Sequence, residues 1–126
     1  MGYAKRSEVY LAKDVTDPRY IKIGQTQNHK QRQHTLDNRY HIIKVFTVQL
    51  DHLERTRNII ERTVQFRFLA SRKCKAIENK HDYFIVNSKE DFDYIVENFV
   101  DYCEEEETRL LHLYLDDFLE NFSKTS

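Results

Sequence analysis

Four side chains of different chemistry stand in order along the first half of the chain: the phenol of Tyr10, the ammonium of Lys22, the guanidinium of Arg32 and the carboxylate of Glu61. Eleven residues separate Tyr10 from the run Lys22-Ile23-Gly24, and Arg32 follows Gly24 by eight. Hydrolysis of a phosphodiester needs an activated nucleophile, neutralisation of charge on the phosphate and help for the leaving oxygen. A phenol with an ordinary pKa of about 10 needs a neighbouring cation to act as a base at neutral pH. The planar fork of an arginine suits phosphate oxygens, and one carboxylate completed by water and substrate oxygens can hold Mg²⁺. Each residue also has a plainer reading. A strand tyrosine is usually packing and a helix arginine is usually solvated. Glu61 shares with Glu54, Asn58 and Gln65 a polar helix stripe that could simply face water.

Short segments rich in Val, Ile and Tyr must position these groups. Val9 to Val15 and Tyr20 to Thr26 read as strands joined at Thr16-Asp17-Pro18-Arg19, where Asp before Pro marks a turn between antiparallel partners. Gly24 breaks the second strand near its end, as expected where another backbone or a ligand approaches closely. Asn28 to Arg39 carries good helix formers, with Asn28 as N-cap, and Ile42 to Leu50 alternates as a third strand. Asp51 can cap the next helix, about Leu53 to Ser71, on which Leu53, Ile60, Val64 and Phe68 form one apolar stripe. Residues 72–81 are polar and basic and read as a loop, and Tyr83 to Val86 as a short strand. A long helical pattern starts at Ser88, with Phe92, Ile95, Val96 and Phe99 as its first stripe. Glu104 to Glu107 interrupt it, and Leu110, Leu111, Tyr114, Leu115, Phe118, Leu119 and Phe122 form a second. This order predicts an α/β domain: a small antiparallel-containing sheet flanked by helices, with a long C-terminal helical segment.

A chain of 126 residues is long enough for one modest core. It holds no stretch of 18 apolar residues and no hydrophobic run after the first six, so neither a spanning helix nor a secretory signal is expected. That makes the expected location intracellular: cytoplasm, nucleus or, for a viral protein, the particle. Cys74 and Cys103 form no CxxC or CxxH arrangement and read as reduced thiols rather than zinc ligands. His29, His34, His41, His52, His81 and His112 also lack metal-ligand spacing. The net charge of −1 conceals a split: residues 1–80 hold 17 Lys/Arg against 8 Asp/Glu, and residues 81–126 hold 3 against 13. Phosphate binding follows local potential, so the first part is the expected nucleic-acid face. Two solvated faces of opposite sign would give the same count, and Asp116-Asp117 and Glu104–Glu107 read as such acidic faces.

The order and spacing of Tyr10, Lys22-Ile23-Gly24, Arg32 and Glu61 resemble the GIY-YIG endonuclease superfamily, over roughly residues 8 to 87. Glu8 stands at the glycine of the first motif, Val9 at its middle isoleucine and Lys22 at the tyrosine of the second. The Lys-Ile-Gly form is similar to a divergent branch common in viruses and mobile elements. Glu61-Arg62-Thr63-Val64-Gln65 with Phe68, and loosely Asp82-Tyr83-Phe84, match that branch as well. Leu36 stands where the family has a histidine, with His34 nearby on another helical face, and the family's late asparagine has no firm match, Asn87 being the candidate. The resemblance implies that residues 1–87 form a nuclease domain and residues 88–126 an acidic helical extension, packed on it or used for association. It implies that Tyr10 acts on the attacking water beside Lys22, that Arg32 binds the phosphate and that Glu61 holds Mg²⁺ or Mn²⁺. Gly24, Thr26, Lys30 and His34 would then contact substrate, with DNA expected in preference to RNA. The alternative is a catalytically inactive relative that binds nucleic acid or serves as a structural or protein-interaction module. In either case residues 110–122 are expected to mediate homo-oligomer or partner-protein contacts, and no membrane is involved.

Overall fold

Alternation along the first two strands decides which side of the sheet carries the chemistry. β1 (Glu8–Asp14) and β2 (Tyr20–Thr26) pair antiparallel, with Tyr10 opposite Gly24 and Ala12 opposite Lys22. Because successive side chains point to opposite faces, Val9, Leu11, Ile21 and Ile23 enter the main core, while Tyr10, Ala12, Lys22 and Gly24 share the other face. This computed structural model describes residues 7–50 and 55–125, with only the backbone of 124 and 125. The further elements are α1 (His29–Thr35), β3 (Tyr40–Thr47), α2 (Thr56–Ala70), β4 (Cys74–Ile77), β5 (Lys80–Val86) and α3 (Lys89–Thr125). The strands form one five-stranded antiparallel sheet in the order β3-β1-β2-β5-β4.

Two helices cover the main-core face. Ile60, Val64 and Phe68 of α2 form the expected stripe, and with Ile95, Phe99 and Cys103 of α3 they meet Phe46, Phe84 and Val86 from the sheet. The first half of α3 is therefore part of the domain core. On the opposite face a smaller cluster gathers Ala12, Leu36 and Tyr40. The β1–β2 turn is organised by buried Asp14, whose carboxylate accepts from Thr16 N–H and hydroxyl, from Asp17 N–H and from Arg39. Burial works to raise the pKa of Asp14, but Arg39 and the Thr16 and Asp17 donors outweigh it and bring it down to about 2.

Several segments differ from the sequence expectation. α1 ends at Thr35 rather than Arg39, because Leu36 turns extended and joins the smaller cluster. Residues 72–81 are not a loop: they contribute β4 and the turn into β5, with Asn79 at φ 62°. Short, charged strands at a sheet edge are a common device against edge-to-edge pairing, and they leave little apolar signal. α2 starts at Thr56, and the expected cap Asp51 and stripe residue Leu53 lie outside the described residues. α3 runs unbroken for 37 residues through Glu104–Glu107. Glu104 is exposed, but the rest of that run is engaged: Glu105 and Glu106 hold Arg67 at 2.7 and 3.1 Å, and Glu106 also holds Arg109 at 2.9 Å. Glu107 accepts from the backbone N–H groups of Gln49 and Leu50 at 2.7 and 3.1 Å.

Candidate functional site

Gly24 is required by Tyr10. The tyrosine ring lies across the glycine on the neighbouring strand, so that a Cβ at position 24 would fall 2.5 Å from the phenol oxygen and 2.6 Å from the carbon bearing it. Lys22 stands two residues before on the same face, with Nζ 5.8 Å from the Tyr10 ring centre and 4.9 Å from that of Tyr83. Tyr83 in turn meets Tyr40 edge-on at 5.2 Å. Tyr10 is almost wholly buried. Burial raises its pKa, and Lys22 and Arg32 draw it back without overcoming that effect, so the phenol stays protonated at neutral pH. For Lys22, burial works to lower the pKa, but Tyr10 and Tyr83 outweigh it and the group stays cationic.

Arg32 is brought to this face by the way α1 starts. The Asn28 side chain caps the helix, accepting from the N–H groups of Lys30 and Gln31 at 3.0 and 3.1 Å. The Thr26 hydroxyl is engaged with the Asn28 backbone, accepting from its N–H and donating to its carbonyl. Buried Glu8 accepts from the His29 backbone N–H at 2.8 Å, and its other oxygen lies 2.9 Å from His29 Nδ1. Glu8 is thus an anchor for α1. Arg32 is half-buried, close enough to Tyr10 to act on its ionisation. Lys30 and His34 are exposed and line a different groove, of about 540 Å³, with Ile42, Ile43 and Val45.

Glu61 comes from the opposite layer. Pairing between β2 and β5 stops at Lys22 and Tyr83. Beyond that point Gln65 takes the place of a strand neighbour: its Nε2 donates to the Ile23 carbonyl at 2.8 Å and to Asp82 at 2.9 Å. The opening becomes a polar cleft of about 400 Å³ lined by Gln25, Asn58, Glu61, Arg62, Gln65 and Lys80 to Asp82, among others. Glu61 is only 4% exposed there. Burial, then the Asp82 carboxylate, push its pKa up to about 7, against Arg62, Gln25 and Lys22. Lys22 therefore acts electrostatically on both Tyr10 and Glu61, across the gap in the sheet.

Tyr10, Lys22, Arg32 and Glu61 thus lie within one electrostatic neighbourhood, with Gly24 packed beneath the phenol. Thr26 sits at the helix cap, and Lys30 and His34 at the adjoining groove. Asn87 is elsewhere: its amide donates to the Arg72 carbonyl at 2.6 Å, beside a separate cavity at the start of α3. The sequence did not single out Gln25, Asp82 or Gln65 as site residues. The i, i+3, i+7 spacing of Asn58, Glu61 and Gln65 put them on one face, and that face meets the cleft rather than bulk water. Gln25 links α2 to β2, donating to Asn58 at 2.9 Å and accepting from Arg57 at 2.8 Å.

An antiparallel five-stranded sheet backed by two helices, with a polar cleft where two of its strands part, defines a small mixed α/β domain carrying one site. Residues 8–101 match the T5orf172 domain, and the chain belongs to that family, which is found in phage and mobile-element proteins and is related to nuclease-type folds. No curated protein and no solved structure matches the chain. Among the described residues no helix is long and apolar enough to cross a membrane.

Proposed function

We propose that the chain is a GIY-YIG-like phosphodiesterase that cuts DNA with the help of Mg²⁺ or Mn²⁺. The observation that carries this reading is the convergence of Tyr10, Lys22, Arg32 and Glu61 from four elements and both faces of the sheet. Convergence of this kind is not needed to fold so small a core. Arg32, in ion-pair range of no carboxylate among the described residues, is available for a phosphate oxygen. Tyr10, a neutral phenol at neutral pH, positions the attacking water through its hydroxyl, and cationic Lys22 favours loss of the phenol proton, after which the oxygen can accept one from that water.

The anionic oxygens of the cleft are the carboxylates of Glu61 and Asp82, while the amide oxygens of Gln25 and Asn58 are held by Arg57 and by the Gln25 amide N–H. That set fits a hard divalent cation rather than zinc. Among the described residues no three His, Cys, Asp or Glu side chains are grouped to hold a metal. Water and substrate oxygens would therefore complete the shell, as Mg²⁺ prefers. A cation held there would stabilise charge on the phosphate.

A second reading is favoured by the raised pKa of Tyr10: a relative that binds nucleic acid without cutting it. Incubating the purified protein with supercoiled plasmid, branched duplex and single strands, in Mg²⁺, Mn²⁺ or EDTA, separates the two. Metal-dependent cleavage lost in both Glu61→Gln and Arg32→Ala, with each variant folded, is the expected result. A wild type inert on every substrate would leave binding alone, and a Glu61→Gln variant as active as wild type would remove Glu61 from the reaction.

A further inference from the structure

The helix α3 changes its apolar face part-way along. In the first half Ile95, Phe99 and Cys103 are fully buried, and Glu106 continues their row. At 100° per residue, positions 97, 101, 104, 108, 111, 115, 118 and 122 form another row, about 155° round the helix from the core row. In the first half this row is Glu97, Asp101, Glu104 and Thr108, all exposed, as a solvated face should be. From Leu111 the same row becomes Leu111, Leu115, Phe118 and Phe122, flanked by Tyr114 and Leu119. Leu115, Phe118, Leu119 and Phe122 are 44%, 57%, 58% and 64% exposed, and the Phe118 and Phe122 rings stack. The carboxylates change sides too: Asp116, Asp117 and Glu120 fall on the face that the core uses earlier. The core row itself carries on as Leu110, packed on the core, and Leu113, 54% exposed, until Asp117 ends it. A stripe that swings away from the sheet serves something outside the domain.

We propose that this row is a homodimer surface, packing against the same row of a second copy of the chain. The 4-3-4 spacing of Leu111, Leu115, Phe118 and Phe122 is that of a coiled-coil seam. Charge placement selects the partner. The carboxylates of this segment lie opposite the seam, so two copies meet without opposing like charges. A basic partner would find no acid on the seam's rim to read. Five side chains about half exposed, with Leu111 partly covered, offer on the order of 600 Å² per copy, the low end of what a specific interface covers on each side. A patch of that size also exceeds what most monomers leave in water.

Sedimentation equilibrium on the full chain tests this. The expected mass is twice 15.3 kDa, falling to the monomer on dilution through a micromolar dissociation constant. The Leu115→Glu/Phe118→Glu pair should be monomeric with an unchanged circular dichroism spectrum. Asp116→Ser/Asp117→Ser, on the opposite face, should still dimerise. A wild type that stays monomeric up to about 200 µM overturns the proposal without reference to any variant, and would leave a different protein as the seam's occupant. A dimer that survives the Leu115/Phe118 change overturns it as well, by placing the interface elsewhere.

Discussion

At the scale of single residues, Glu61 and Gly24 carry the sharpest expectations. The folded-state pKa of Glu61, about 7, lies above its ordinary 4.5 because the side chain is buried beside Asp82. Its contribution to stability is therefore fully present below pH 4.5 and is lost as pH rises through 7, where a buried carboxylate must exist in the folded state. Glu61→Gln cannot ionise, so it should melt above the wild type at pH 8, by about 1–2 kcal/mol or roughly 3–6 °C, with the gap closing at pH 5. Thermal denaturation at the two pH values checks this, and a gap independent of pH would contradict it. Under the metal-dependent reading, Mg²⁺ should raise the melting temperature of the wild type at pH 8 but not that of the variant. Gly24→Ala should displace the Tyr10 ring, costing about 1–3 kcal/mol as an overpacked contact does. Urea unfolding reads that loss, and a variant as stable as wild type would mean that the ring yields freely. Gly24 was legible in the sequence as a point of close approach; what approaches it, the ring of Tyr10, became visible only with the strands in register.

At the scale of elements, local chemistry told most where it was self-contained. The strand from Tyr20 to Thr26 and the Asn28 cap were legible because alternation, a turn signal and a capping side chain lie within a few residues of one another. β4 was hidden because an edge strand needs charge rather than an apolar run, and the early end of α1 was hidden because only the smaller cluster explains why Leu36 leaves the helix. The Glu104–Glu107 run misled for a related reason: its partners, Arg67 and the Gln49 and Leu50 amides, are distant in sequence. Arg67 also lies over the Tyr102 ring, 3.6 Å from its centre, and Tyr102 stacks on Phe68. Arg67→Ala would leave largely buried Glu106 without one of its two cations and uncover that stack. It should cost about 1–3 kcal/mol in urea unfolding, whereas Lys89→Ala, which removes an exposed ion pair with Asp93, should change little. Equal losses in the two variants would mean that the α2–α3 junction is no more than a surface contact.

At the scale of the whole molecule, the charge split becomes spatial, but less of it is free than the sequence count suggests. Arg19, Arg39 and Arg67 are each occupied by carboxylates. Lys22, Lys30 and Arg32 remain around Tyr10 and on α1, and Arg62, Lys80 and His81 line the Glu61 cleft. A footprint of this extent corresponds to about 3–4 phosphates, so the logarithm of the DNA affinity should fall with the logarithm of salt at a slope near −3. Lys30→Glu and Arg32→Glu should each weaken binding and reduce the steepness by about one. The acidic side needs a control that respects the fold. Glu105, Glu106 and Glu107 hold α3 in place, so neutralising them would confuse repulsion with unfolding. Asp116, Asp117 and Glu120 are exposed on the distal half of the helix, and their neutralisation should leave affinity unchanged or raise it slightly by removing negative potential near the DNA. Fluorescence anisotropy with a labelled duplex between about 50 and 200 mM salt measures all of these slopes. An affinity indifferent to salt, or lost on neutralising the distal carboxylates, would place the nucleic-acid contact away from the basic layer that surrounds Tyr10.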